Sequence, residues 1–155
     1  FAGAVDAAQL MANSAKKAGI DIEVVREPND GYWSNVWNND AKGWCACYWG
    51  GRPAETMMFS AAYVAESKWN DTMWKTTDSA VKFNQLVKDA RKELDESKKR
   101  DILYECQRLI YDDGGLLCPL FNSYVSANSK KIAHGKIAAN WDSDGAKCVE
   151  RWWFA

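Results

Sequence analysis

Histidine occurs once in the 155 residues, at His134, and proline only three times. A Ser–His or Cys–His nucleophile would have to use that one imidazole, which sits in a turn beside Gly and Lys, and no GxSxG elbow accompanies it. No apolar run approaches the ~18 residues of a membrane span. Neither sign of charge dominates: twenty basic against twenty-one acidic side chains leave a net charge of −1, so the footprint of a dedicated nucleic-acid binder is missing. CxxC pairs are absent. A zinc site needs about four spaced Cys/His ligands, and Cys45-x-Cys47 offers two with no second pair to follow. Asp142-Ser143-Asp144-Gly145 with Glu150 lacks the third acidic ligand of a calcium loop and reads as an Asx-type turn. The opening FAGAVDAAQL has no initiator Met, basic n-region or long apolar h-region and is not read as a signal peptide; it reads as a mature start or as a piece of something longer. The expectation is a non-enzyme with no catalytic residue, metal or cofactor.

What is present is an ordinary globular balance, 47% hydrophobic and 26% charged, with two unusual entries in it. Nine tryptophans are many for this length, and Trp stacks well enough that an excess points to a binding surface as well as a core. Five cysteines (Cys45, Cys47, Cys106, Cys118 and Cys148) are an odd number, so one at least lacks an intrachain partner. Cys45 and Cys47 share a face if their segment is a strand, and bonding between them would be strained. Their pattern fixes no redox compartment.

The periodicity alternates helix and strand. Ala4, Ala8, Met11, Ala15 and Ala18 form a narrow helical stripe, ended by Gly19 at the C′ position. Ile20, Ile22 and Val24 alternate with acids as a half-buried strand. Residues 28–31 turn the chain, and Asp30 caps a short helix through Trp37. Residues 44–49 read as a nearly continuous apolar strand. A helix over about 54–65 and a polar, Trp-bearing loop over 68–77 follow. Phe83, Leu86, Val87, Ala90 and Leu94 give the strongest helical stripe, with Asp78 or Ser79 as its cap. Asp95 caps a second helix carrying Ile102, Cys106, Leu109 and Ile110, which makes an αα-hairpin ended by Gly114-Gly115. Asp112-Asp113 reads as a solvated helix end. Residues 116–127 are extended, and 149–154 read as a final strand with no obvious partner. The whole is α/β.

Gly50-Gly51-Arg52 is the best functional locus. It follows the strand over 44–49, where open α/β sheets bind ligands. Two glycines let a ligand approach the backbone, Tyr48 and Trp49 offer stacking faces, and Arg52 offers a fork for a carboxylate or phosphate. The signal is too short for a P-loop or a dinucleotide fingerprint.

Several segments, taken in order, resemble the solute-binding proteins of peptide-type (dipeptide/oligopeptide, family 5) ABC importers. SAKKAGIDIEV (14–24) resembles their helix–Gly–Ile–strand segment. CACYWGGRPAETMMF (45–59) resembles the ligand-facing strand and loop, and WNDTMW (69–74) with Phe83-Asn84 the next loop and helix. The helix carrying Arg100, Tyr104, Gln107 and Leu109, and the strand LLCPLF (116–121), resemble the segments that follow. The resemblance implies the C-terminal half-lobe of a periplasmic binding protein-like II fold: a mixed sheet with flanking helices and an αα-hairpin. Residues 1–130 would be part of the second, inserted lobe, and 131–155 a return segment to the first. It implies an extracytoplasmic component, periplasmic or lipid-anchored in a bacterium, that captures a small solute (peptide, opine-like or sugar-like) by lobe closure and delivers it to a membrane permease, with no nucleic-acid partner. Tyr48, Trp49, Gly50, Gly51, Arg52, Asn70 and Trp74 would line the ligand site. These proteins place an Asp near the ligand-facing strand end; here Cys47 and then Trp49-Gly50-Gly51-Arg52 stand there, so an anionic or sugar-like group is expected of the ligand. A homodimer of the half-lobe is a further expectation. A Trp-rich carbohydrate-binding domain and a small α/β hydrolase domain are the alternatives.

Overall fold

The computed structural model describes residues 3–39 and 43–155. The chain divides after Trp49 into two units, 1–49 and 50–155. The return segment expected from residue 131 lies within the second.

In the first unit, α1 spans Ala4–Lys16, with Asp6 near its N-terminus and Lys16 near its C-terminus, where each charge suits the helix dipole. The one buried residue of α1 is Ala12, outside the expected stripe: Ala4, Ala8, Met11 and Ala15 are half-buried, and Ala18 lies exposed beyond the helix end. Gly19 ends the helix as expected, at φ 78°. Its N–H donates to Lys16 O and the Ile20 N–H to Ala15 O, both at 3.1 Å, which is the Schellman arrangement. The strand expected over 20–24 is irregular chain with no ladder among the described residues. The short helix α2 is Tyr32–Asn35, capped by Gly31 at φ 76° rather than by Asp30, and it stops before Trp37. Residues 44–49, expected as a strand, have no assigned regular structure.

In the second unit, α3 spans Glu55–Ala62 and ends three residues earlier than the periodicity suggested. The loop after it is organised by Asn70, 1% exposed, whose amide donates to Tyr63 O, Val64 O and Trp74 O at 3.0–3.3 Å. One buried side chain thus supplies the donors that a ladder would otherwise give these carbonyls. Helix α4 spans Asp78–Lys92. Its cap is Thr77, one residue before Asp78 and two before Ser79, because Thr77 is extended and its hydroxyl accepts from the Ala80 N–H at 3.2 Å. Asp95 caps α5 (Glu96–Asp113) as read, accepting from the Ser97 and Lys98 N–H groups.

The α4–α5 hairpin holds the core. Phe83, Val87 and Ala90 face Cys106, Leu109 and Ile110, and all six are buried. Phe83 also meets Phe59 of α3 at 5.5 Å and Trp74 at 5.1 Å, so one ring ties helix, loop and hairpin together. Burial pushes the Cys106 thiol up to about 11, which makes it an inert apolar filler. Leu94 leaves the expected stripe: α4 has ended at Lys92, and Leu94 is 91% exposed in the linker.

After α5 the chain has no regular structure over 116–128 and forms no ladder among the described residues. The strand expected over 149–154 is a helical turn, Cys148–Arg151, followed by a shorter strand, and that strand has a partner. β1 (Ile132–His134) pairs antiparallel with β2 (Trp152–Phe154), Ala133 opposite Trp153. Among the described residues this two-stranded sheet stands where a larger mixed sheet was expected. Alternation specifies a surface suited to pairing, and a strand edge still needs a partner to close its hydrogen bonds.

Candidate functional site

Gly50-Gly51-Arg52 opens the second unit, and the C-terminal part of the same unit converges on it. The Arg52 guanidinium donates through Nη1 to Gly50 O at 2.7 Å and to Gly51 O at 3.3 Å. It also lies over the indole of Trp141, 5.4 Å from the ring centroid. A Cβ on Gly50 would come within 3.2 Å of that indole, so glycine permits the approach. The Tyr124 hydroxyl stands beside Gly51, 3.8 Å from where a Cβ would be. Among the described residues no carboxylate pairs with Arg52, so a half-buried cation is oriented by two carbonyls and a ring, with donors remaining for an anion.

Trp141 is held by an unusual turn. Its φ of 65° and ψ of 154° lie in a region natural to glycine. Ser143, Asp144, Gly145 and Ala146 follow, all with positive φ. The Asp144 carboxylate, 4% exposed, anchors this left-handed run. It accepts from the Ala138 N–H at 2.6 Å and from Trp152 Nε1 at 3.0 Å, and pairs with Arg151 at 3.0 Å. The Ala138 N–H, then Trp152 and the Arg151 charge, hold that carboxyl below its ordinary range. In place of the expected Asx-type turn stands a left-handed run whose acid, Asp144, accepts from Ala138 and Trp152 rather than from the N–H two residues on.

Of the other expected site residues, Tyr48 and Trp49 belong to the first unit, in a cluster with Tyr32, Trp33 and Trp37. Trp33 meets Tyr48 at 5.3 Å and Trp37 at 5.7 Å, and Trp37 meets Trp49 at 6.1 Å, all edge to face. The Tyr32 hydroxyl donates to Ala46 O at 2.9 Å and fastens α2 to the 44–49 segment. Burial, then the neighbouring Cys45 and Cys47, raise the Tyr32 phenol above its usual range. Asn70 and Trp74 are both buried. Asn70 organises its loop, and Trp74 donates through Nε1 to Asp113 at 2.8 Å. His134 lies against Trp152 at 5.1 Å, with Nδ1 at 2.8 Å from Gly135 O.

A cleft of about 370 Å³ beside α3 and α4 is lined by Ser60, Glu66, Lys88 and Arg91 among others. There the Arg91 guanidinium donates to the Ser60 hydroxyl, and Lys88 pairs with Glu66 at 3.8 Å. Among the described residues no group of three or more His, Cys, Asp or Glu could hold a metal ion. Trp141, Tyr124, Tyr32, Trp33 and Trp37 were missed in the sequence. The high Trp count was their only signal, and nothing in the local pattern says that residue 141 meets residue 52.

No protein-family model, no curated protein and no solved structure matches the chain.

Proposed function

We propose that this chain is part of the extracytoplasmic solute-binding component of an ABC importer, capturing a peptide or peptide-like solute with an anionic group and handing it to a membrane permease. The observation that carries the reading is the Arg52 guanidinium, held by the Gly50 and Gly51 carbonyls and set over Trp141 with no carboxylate partner among the described residues. That is the chemistry of carboxylate recognition, and it falls within the segment that resembles the ligand-facing loop of such proteins. The order of the resembling segments supports the half-lobe architecture. So does the stretch 116–128, which has no regular structure and no ladder among the described residues and would find a strand partner in the remainder of a lobe. In such a protein, solute capture selects a closed state that the permease reads.

Thermal-shift titration with di- and tripeptides, dicarboxylates and neutral sugars tests it. Carboxylate-bearing solutes should raise the melting temperature, and Arg52→Ala should abolish the shift while Arg52→Lys keeps part of it. A shift given by sugars alone, or one indifferent to Arg52→Ala, would remove the basis for this function.

A further inference from the structure

The cleft beside α3 and α4 plays no part in the Arg52 reading. We propose that it is a second binding site, which takes a small organic molecule by a phosphate-type dianion.

Asn84, Val87, Lys88 and Arg91 fall at i, i+3, i+4 and i+7 of α4, so one face of that helix makes one wall of the cleft. Ser60 of α3, with Val64, Glu66 and Ser67 of the loop after it, makes the other. Asn84 fastens the walls together. Its Oδ1 accepts from the Ala65 N–H at 2.9 Å, and its Nδ2 donates to Ala80 O at 2.8 Å. The space between is about 370 Å³, at the small end of ligand pockets. An inorganic ion alone would leave most of it empty.

The open polar groups select the class of ligand. The Ser60 hydroxyl donates to Thr56 O at 2.6 Å and the Ser67 hydroxyl to Ala61 O at 2.5 Å, so neither serine has a proton to offer. The two cations do. Arg91 donates through Nη2 to the Ser60 hydroxyl, which orients the guanidinium and leaves the rest of its fork open. Lys88 faces Glu66 at 3.8 Å, beyond hydrogen-bond reach, with both side chains more than half exposed. Such a pair contributes little, so an incoming anion displaces Glu66 at little cost. The acids next along the chain are held elsewhere: Asp89 accepts from Gln85 Nε2 and Glu93 from the Asp95 N–H, each at 2.8 Å. A guanidinium fork and an ammonium one turn apart match the oxygens and double charge of a phosphomonoester better than they match a single carboxylate. Val64 and Val87 give its organic body an apolar surface beside them. This inference is independent of the Arg52 reading.

The test is a calorimetric titration of the 155-residue chain with phenyl phosphate, benzoate and inorganic phosphate, at about pH 8, where a phosphomonoester is a dianion. It is run on wild type and on Arg52→Ala, so that binding at Arg52 is not mistaken for binding in the cleft. Phenyl phosphate should fill one site in both chains with the same affinity, several-fold more tightly than either other probe. Arg91→Ala should weaken it about tenfold, and Arg91→Lys less, since lysine keeps the charge without the fork. Glu66→Gln should tighten it several-fold by removing the competing carboxylate, a gain that loss of the fold cannot imitate. No saturation below about 10 mM phenyl phosphate would overturn the proposal. So would an affinity indifferent to Arg91→Ala, a site lost in Arg52→Ala, or benzoate or inorganic phosphate binding as tightly as phenyl phosphate.

Discussion

At the scale of single residues, two aspartates occupy positions that local rules disfavour, and each is explained by its donors. Asp113 ends α5, where the helix dipole opposes an anion. It accepts from Trp74 Nε1 and Thr77 Oγ1, each at 2.8 Å, and from the Ser79 hydroxyl, so it links the end of α5 to the start of α4. Those donors, Ser79 first, hold its carboxyl below the ordinary 3.8. A depressed folded pKa contributes stability that is present above about 3.8 and is lost as the pH falls through the folded value. Asp113→Asn should therefore lower the urea midpoint at pH 7, with the gap from wild type narrowing in melts below pH 3.8. A gap constant down to pH 2 would mean that the charge does nothing there. Asp144 does for the left-handed turn at 143–146 what Asp113 does for the hairpin. In both cases the sequence shows only an acid in an odd place, since the donors come from elsewhere in the chain.

At the scale of elements, the helices are legible and the strands are not. The α4–α5 hairpin follows from its apolar spacing and from Asp95, because a helix closes its own hydrogen bonds and needs only one face covered. The caps differ from expectation by a residue at Thr77, where several hydroxyls and acids compete within one turn. The Arg108 links to Glu105 and Asp112, and the Lys82–Glu105 pair at 2.5 Å, decorate the exposed side of this hairpin. Such exposed pairs contribute little beside core burial. Phe83 is the opposite case, being fully buried between Phe59 and Trp74. Phe83→Ala should cost about 3–5 kcal/mol by urea denaturation, the range for emptying a packed aromatic site. A cost under about 1 kcal/mol would mean that α3 and the hairpin do not share a core.

At the scale of the whole molecule, the surface is too large. The chain exposes 11661 Å², whereas a folded monomer of 17.5 kDa exposes about 7,900 Å². Two separately folded units of 49 and 106 residues would together expose about 9,400 Å². Much of what shows is apolar and lies on unladdered chain: Phe121 is 95% exposed and Val125 93%. The isolated chain should therefore associate, with sedimentation giving dimers or larger species at tens of micromolar, and Phe121→Lys with Val125→Lys should shift it toward monomer. A monomer that binds no apolar dye would show that this surface needs no cover. The sequence by itself determined the helices, their stops at Gly19 and Gly114 and the Asp95 cap, because those depend on neighbours within a few residues. It also marked Gly50-Gly51-Arg52, because glycine beside arginine carries its chemistry locally. Only the tertiary structure decided that Trp141 meets Arg52, that Trp33 meets Tyr48, and that β2 has β1 for a partner. Those contacts join residues 15 to 89 positions apart, and no local periodicity records them.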